Sequence, residues 1–156
     1  MITADVSKLI EQLNQYHLDA VKRMENMVRG FTYEFAMIAI DNTPLGDDEK
    51  YAALYKRRTY LQPIAGFAQG SWQVPVDMKG SLDQQDLYSG SAALSAIKTH
   101  MLNYTLGETF VLGNTGPYIT QLNEGYSDQA PEGITKPTID QMLAAYKVNL
   151  LRYYKQ

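Results

Sequence analysis

The sequence contains no cysteine, little net charge and no long apolar run. Without cysteine the chain cannot form disulfides, thiolate nucleophiles or Cys-ligated zinc and iron-sulfur sites. Fourteen Lys and Arg against 17 Asp and Glu give a formal charge of −3, which excludes a basic field over the whole protein as a means of holding nucleic acid. No apolar run approaches the roughly 18 residues that span a bilayer, and the N-terminus lacks the basic region of a secretory signal, so we expect no membrane partner.

The 156 residues are long enough for one domain and rich in tyrosine. A chain of this length buries roughly two-thirds of its unfolded surface, which is enough for a core without covalent cross-links. We therefore predict a single domain over residues 1–156. Twelve tyrosines stand against four Phe and one Trp. Because tyrosine suits both apolar and wet surroundings, its abundance favours contacts with other chains.

The N-terminal part of the chain predicts one long amphipathic helix, or two joined end to end. From Val6, apolar residues recur every three or four positions, and no proline interrupts them before Pro44. With Asp5 as N-cap and a stop at Asp41, the helix has about 36 residues and a length of roughly 54 Å. Gly30 costs about 1 kcal/mol relative to Ala in the helix interior and is the expected place for a bend or a close helix contact. A compact domain is shorter than this helix, so either the helix kinks at Gly30 or one end projects and needs a partner.

Two segments near the middle of the chain predict a small, mainly antiparallel sheet. Residues 71–77 alternate with period two, and Pro75 argues for a sheet edge or a strand end. Residues 108–123 contain a strand pattern on each side of a Gly/Pro turn, although the second part, 118–122, also fits the start of a short helix. With the long N-terminal helix, this pattern predicts an α+β fold.

Helical periodicity predicts two further helices packed on one face of this sheet. One runs from Ser91 to Leu102, and the other begins near Pro137, which suits a first helical turn. Residues 44–70 form a long connecting loop with a short helical candidate over 50–61. Connections of this length inside a compact domain usually have a function.

Sequence motifs for catalysis are weak. Neither a phosphate-binding glycine motif nor a Gly-x-Ser-x-Gly nucleophile elbow is present, and no recurring ligand spacing surrounds His17 or His100. Glu124 and Asp128 are a candidate acid/base pair if their loop folds back, but nothing pairs them with a nucleophile or a pocket. We therefore expect no catalytic residue, no metal and no cofactor. A small hydrolase using these two carboxylates is the less favoured alternative.

A short basic cluster interrupts the acidic composition. Lys56, Arg57 and Arg58 are flanked by Tyr55 and Tyr60, as in a strip that follows phosphates. A solvated helix face, or an ion pair with a neighbouring subunit, explains the same residues and is the favoured interpretation.

The order of three motifs, at residues 41–46, 66–74 and 112–133, resembles the neck or tail-completion proteins of tailed bacteriophages. The third motif is the specific one. It follows the pattern Asn-x-x-Pro-Tyr-x-x-x-Leu-x-x-Gly-x-Ser-x-Gln-Ala-Pro-x-Gly from Asn114 to Gly133. The chain departs from the family in the connection over 47–65, which is longer than in the family's shortest forms.

The resemblance implies a non-enzymatic head-to-tail connector that is made in the host cytoplasm and located in the virion neck or tail. Its copies are expected to form a homo-oligomeric ring between the portal or adaptor protein and the tail proteins, around the channel through which the genome DNA passes. A tail-terminator ring is the alternative. The residues expected at subunit contacts are Trp72, Tyr118, Leu122, Glu124, Gly125 and Gln129, and the residues that could face the channel are Lys56, Arg57 and Arg58.

Overall fold

A computed structural model describes residues 6–46, 66–74, 89–109, 111–116 and 118–153, with the side chains of the last helix described as far as Lys147. The elements follow in the order α1 (Val6–Asp41), α2 (Phe67–Gly70), β1 (Trp72–Gln73), α3 (Gly90–Met101), β2 (Gly113–Asn114), α4 (Ile119–Asn123) and α5 (Thr135–Tyr153). The fold is α+β, with a long N-terminal helix, a small antiparallel sheet and further helices, as the sequence predicts.

The helix α1 continues through Gly30 without a break and has 36 residues. A methyl group placed on Gly30 would meet none of the described residues within 4 Å, so none of them makes a close contact there. Every residue from 6 to 20 is exposed. Of the two expectations, a kink or a projecting end, the described structure has the projecting end.

The sheet is antiparallel but much shorter than predicted. Trp72 pairs with Asn114, and Gln73 pairs with Gly113. The prediction of strand over 108–123 is wrong for residues 119–123, which form α4. The backbone N–H of Leu122 donates to the carbonyl of Tyr118 (2.9 Å), as in a helical turn. The apolar residues Ile119 and Leu122 lie three positions apart, which fits a helix better than the two-residue alternation of a strand. Residues 75–77 lie outside the described part of the chain.

The core lies between the C-terminal half of α1, the helix α3 and the strand β1. Small side chains let α1 and α3 approach closely, and Gly90 stands so near the Ile40 side chain that a methyl group there would overlap it. The buried apolar residues of these elements, with Val74 just after β1, are Ala36, Ala39, Ile40, Trp72, Ala93, Ile97 and Met101. The N-terminal half of α1 contributes none of them.

The helix α5 runs antiparallel to α1 along its C-terminal half. Near the start of α5, Thr138 accepts a hydrogen bond from the Asn42 amide (3.1 Å), and Gln141 donates to the same Asn42 side chain (3.2 Å). Further along α5, the ring of Tyr146 meets Phe31 of α1 edge to face, with centroids 6.4 Å apart. These contacts fix the position of α5 beside α1.

The two predicted helices are present with small shifts of boundary; α3 packs against β1, and α5 packs mainly against α1. The helix α3 begins at Gly90 and ends at Met101, one residue before each predicted bound. The helix α5 begins at Thr135, which puts Pro137 in its first turn. In the connection predicted over 44–70, the last four residues form α2. Residues 47–65, with the helical candidate at 50–61, lie outside the described structure.

Candidate functional site

One side of α1 carries an exposed apolar line. This line, called the α1 stripe, comprises Leu9, Leu13, Tyr16, Ala20, Met24, Met27 and Phe31. Steps of three and four residues keep all seven within about a quarter of a turn of one another on an α-helix. Tyr16 is 73% exposed and Met27 is 69% exposed. Large apolar side chains in a continuous exposed line are typical of an interaction surface.

The α1 stripe is not the face that α1 uses for its own core. The buried residues of α1 are Thr32, Ala36, Ala39 and Ile40. At 100° per residue, the mean direction of these residues lies about 145° around the helix from the mean direction of the stripe. The helix therefore has two apolar faces. One packs against α3, and the described parts of the chain leave the other largely uncovered.

A second apolar row lies on α5. Ile139, Leu143 and Tyr146 are 42%, 51% and 51% exposed and follow one another at steps of four and three residues. The edge-to-face contact between Tyr146 and Phe31 joins this α5 row to the α1 stripe. The two rows together form one apolar band over two helices.

Polar contacts hold the middle of α1 rigidly to the turn that follows α3. The Arg29 guanidinium donates to the carbonyl of Tyr104 (2.7 Å), and Glu25 accepts a hydrogen bond from the backbone N–H of Leu106 (3.1 Å). Arg29 and Glu25 also lie 3.9 Å apart as an ion pair. Because α1 is anchored here and is continuous, its N-terminal part extends from a fixed base.

The loop from residue 124 to 134 connects α4 to α5 and is closely held. Gly125 and Gly133 have φ of +83° and +77°; a methyl group on Gly125 would overlap the backbone of Pro131, and one on Gly133 would overlap the backbone of Asn123 at the end of α4. The Asn123 side chain accepts hydrogen bonds from the backbone N–H groups of Ile134 (3.3 Å) and Thr135 (2.9 Å), which caps the start of α5. This loop of residues 124–134, called the latched loop because of these close backbone contacts, carries Tyr126, whose side chain is 79% exposed.

The structure separates the six residues predicted at subunit contacts into interior and surface positions. Trp72 is 9% exposed, and its indole N–H donates to Thr43, so it has little surface to offer a neighbouring chain. Tyr118 and Leu122 are half-buried, and Leu122 packs against the core. Their role at a subunit contact stays a prediction.

The other three predicted contact residues lie on the latched loop. Glu124 and Gln129 are exposed, and Gly125 is half-buried and serves the turn itself. The structure thus brings Glu124, Gly125 and Gln129 together on one loop and places Trp72 apart from them. The basic residues Lys56, Arg57 and Arg58 lie outside the described residues.

Glu124 and Asp128, the alternative acid/base pair, are both exposed on this loop. An open cleft of about 550 Å³ lies between the end of α1 and the loop, lined in part by Asn42, Gln69 and Pro131. A smaller cleft of about 280 Å³ lies beside the start of α5. Neither carboxylate lines either cleft. Among the described residues, no group of three His, Asp or Glu side chains is placed to hold a metal ion.

The smaller cleft is bordered by an exposed charge cluster at the start of α5. The Lys136 ammonium lies 3.3 Å from Asp140 and 3.6 Å from Glu132. The hydrogen bond and charge of Asp140, with those of Glu132, raise the pKa of Lys136 above its ordinary value of 10.5. Lys136 is therefore part of a surface ion cluster. Its ammonium stays protonated at neutral pH and cannot act as a base there.

The predicted site residues omit the apolar band, although the sequence contains a signal for it. Leu9, Leu13 and Tyr16 belong to the helical periodicity that predicts α1, and apolar periodicity alone does not distinguish a packed face from an exposed one. The length of the helix was the better signal. A helix of 36 residues exceeds what one small core can cover, so part of its apolar periodicity must lie outside that core.

Comparison with known proteins gives no further guide: no family model matches the chain, and no curated protein and no solved structure is significantly similar to it. Over the residues that the structure describes, no helix combines the length and the apolar character needed to cross a membrane. The functional conclusion therefore depends on the surface geometry and on the sequence motifs.

Proposed function

We propose that this protein is a structural subunit of the neck of a tailed bacteriophage, a head-to-tail connector or tail-completion protein, and that its copies assemble into a ring around the DNA channel. Its proposed partners are other copies of itself, the portal or adaptor protein and tail proteins. The genome DNA passes through the ring, and the protein resides in the virion.

The observation that carries self-assembly is the exposed apolar band. Leu9, Leu13 and Tyr16 lie where every residue of α1 from 6 to 20 is exposed. Burying one such side chain contributes about 1.5 to 3 kcal/mol, so a partner that covers the band gains a large driving force. A ring subunit has this property, because each copy covers part of its apolar surface only on assembly.

The phage-specific part of the proposal is supported by the motif from 114 to 133. Asn114 donates to the carbonyl of Ala68 (2.7 Å) and accepts from the N–H of Gly116 (2.8 Å), so it joins α2 to the turn after β2. Gly125 and Gly133 of the motif make the close backbone contacts of the latched loop. The motif ends at Gly133, just before α5 begins. Asn114, Gly125 and Gly133 of the motif therefore each have a defined physical task in the fold.

A structural role is favoured over the hydrolase alternative by the positions of the two carboxylates. Glu124 and Asp128 are exposed and line neither described cleft. A general acid or base works best in a desolvated pocket that tunes its pKa and positions a substrate. Neither of the two clefts formed by the described residues offers these carboxylates such surroundings.

The proposal is tested by measuring the mass of the purified protein with light scattering over a range of concentrations, and by imaging it in negative stain. We expect a defined oligomer that becomes monomeric in the variant Leu13→Glu, because a charge on the α1 stripe opposes its burial. Asn14→Glu is the matched control. It adds the same charge one residue later, about a third of a turn away from the stripe.

Localisation in the particle provides the second test. Antibody labelling of virions of the phage that encodes the chain is expected to mark the neck, with a fixed number of copies per particle. Label at the end of the tail tube in particles arrested before head joining would instead favour the tail-terminator. A protein that is monomeric at every concentration and absent from virions contradicts the proposal.

A further inference from the structure

The apolar residues on the projecting part of α1 and those on α5 have the same spacing. On α1, Leu9, Leu13 and Tyr16 lie at positions i, i+4 and i+7, and on α5 an aliphatic residue, a leucine and a tyrosine follow at the same steps. That second set is Ile139, Leu143 and Tyr146. Each set spans about 10 Å along its helix, so the two match in length and in the size order of their side chains.

The two sets differ in what surrounds them. The α1 set lies within residues 6 to 20, a part of α1 that is exposed all round. The α5 row lies beside α1, and the Tyr146 ring meets Phe31, so it belongs to a broader two-helix surface. A single row of side chains on one helix packs well into the shallow groove between two adjacent helices, because these side chains fill the spaces between the side chains of the two helices.

The two sets cannot meet within one molecule. Leu13 precedes Phe31 by 18 residues, which is about 27 Å along an α-helix. The helix has no break between them, and Glu25 and Arg29 anchor its middle to the turn after α3. An unbroken helix cannot fold its own N-terminal row back onto α5, so this row can reach an α5 row only in another molecule.

The charges along α1 argue against a lipid surface as the occupant. From residue 6 to residue 31 the helix carries four basic and three acidic residues, and these are Lys8, Lys22, Arg23, Arg29, Glu11, Asp19 and Glu25. Helices that lie on membranes are rich in Lys and Arg on the polar face, which draws them to anionic lipid. A mixed-charge helix suits a protein partner of similar composition.

We infer that the projecting part of α1, through Leu9, Leu13 and Tyr16, docks on the α5 row and Phe31 of a second copy of this chain. This inference rests on the proposed self-assembly and specifies its interface. Each copy both donates a helix and receives one. Such a contact is heterologous, and its repetition closes a ring when the rotation between copies allows it. In antiparallel docking each tyrosine meets a smaller aliphatic residue, and Leu13 lies opposite Leu143 in either direction.

The absence of cysteine makes a clean cross-linking test available. Two single-cysteine variants, Leu13→Cys and Leu143→Cys, are given different affinity tags, mixed and oxidised. We expect a disulfide between the two differently tagged chains, because a bridge forms only where Cβ atoms approach to about 4 Å. The control replaces Leu143→Cys with Ala144→Cys, which is exposed on another side of α5 and is expected to cross-link severalfold less.

The outcomes separate this inference from the proposal on which it rests. An oligomer that forms the mixed disulfide supports both. An oligomer in which Leu13→Cys cross-links to itself, or to neither α5 position, overturns the docking and leaves self-assembly standing. A protein that is monomeric by light scattering at every concentration and forms no mixed disulfide overturns both.

Discussion

The indole N–H of Trp72 donates a hydrogen bond of 2.8 Å to the hydroxyl of Thr43, and this hydroxyl donates in turn to the carbonyl of Ala39 (2.7 Å). Thr43 is 2% exposed and lies just after the end of α1. One hydroxyl therefore provides the acceptor for the indole N–H of the only tryptophan of the chain and the donor for a carbonyl at the C-terminus of α1. It ties α1 to β1 within the core.

Replacing this threonine by an isosteric apolar residue tests the relay. We expect Thr43→Val to destabilise the protein by about 1–3 kcal/mol, because it leaves a buried N–H without an acceptor. Urea unfolding followed by Trp72 fluorescence at fixed protein concentration measures the loss. Thr43→Ser keeps the hydroxyl and serves as the control, with a smaller cost from the lost methyl group. Equal stability of the Val variant and the wild type would show that the indole N–H finds another acceptor.

The close approach of Gly133, in the loop before α5, to the backbone of Asn123 gives a second prediction. Gly133 has a φ of +77°, and a methyl group on it would overlap the backbone of Asn123. We expect Gly133→Ala to lower the free energy of unfolding by more than about 2 kcal/mol, since backbone strain and a clash that backbone cannot relieve act together.

Gly107 is the matched control for this effect. Its φ of +102° is also positive, but a methyl group there meets none of the described residues within 4 Å. Gly107→Ala is therefore expected to show the conformational strain alone, about 1 kcal/mol. Equal losses in the two variants, measured by thermal unfolding, would contradict the close approach at Gly133.

Periodicity and turn residues predicted most of the fold. The spacing around Ile97 predicts α3 within one residue at each end, and Pro137 indicates the start of α5. The strand extents were overestimated because strand length depends on partners far away in the chain. Among the described residues of the first predicted strand, only Trp72 and Gln73 pair with another strand.

The candidate site was harder to predict from sequence. The residues Leu13 and Met27 have the same period as residues that pack in the core, and only the path of the chain around them decides which face is covered. Trp72 shows the converse case. The resemblance implies it as a contact residue, and in the structure its indole N–H donates to Thr43 inside the molecule.

The charge cluster on α5 gives a prediction on pH. Asp140 and Glu132 raise the pKa of Lys136 above 10.5 in the folded protein. The pairing of Lys136 with these carboxylates therefore stabilises the fold fully at pH values below the pKa of this lysine in the unfolded chain, and the stabilisation is lost as the pH rises through its pKa in the folded protein. We expect Asp140→Asn to move the pKa of Lys136 down towards its ordinary value, as measured by an NMR titration of the side-chain resonances. An unchanged titration of Lys136 in this variant would contradict the pairing.

The glycine within α1 gives the last prediction. Glycine in a helix interior costs about 0.5–1 kcal/mol relative to alanine, and Gly30 is exposed with no described residue within 4 Å of an added methyl group. We therefore expect Gly30→Ala to raise the thermal midpoint and the far-UV helical signal, and the reverse change Ala20→Gly to lower the helical signal. Gly30 also lies off the α1 stripe, so the oligomer should persist in the alanine variant. A loss of assembly with the helical signal intact would mean that a neighbouring copy approaches the backbone at Gly30, and the subunit contact would then lie on a different side of α1.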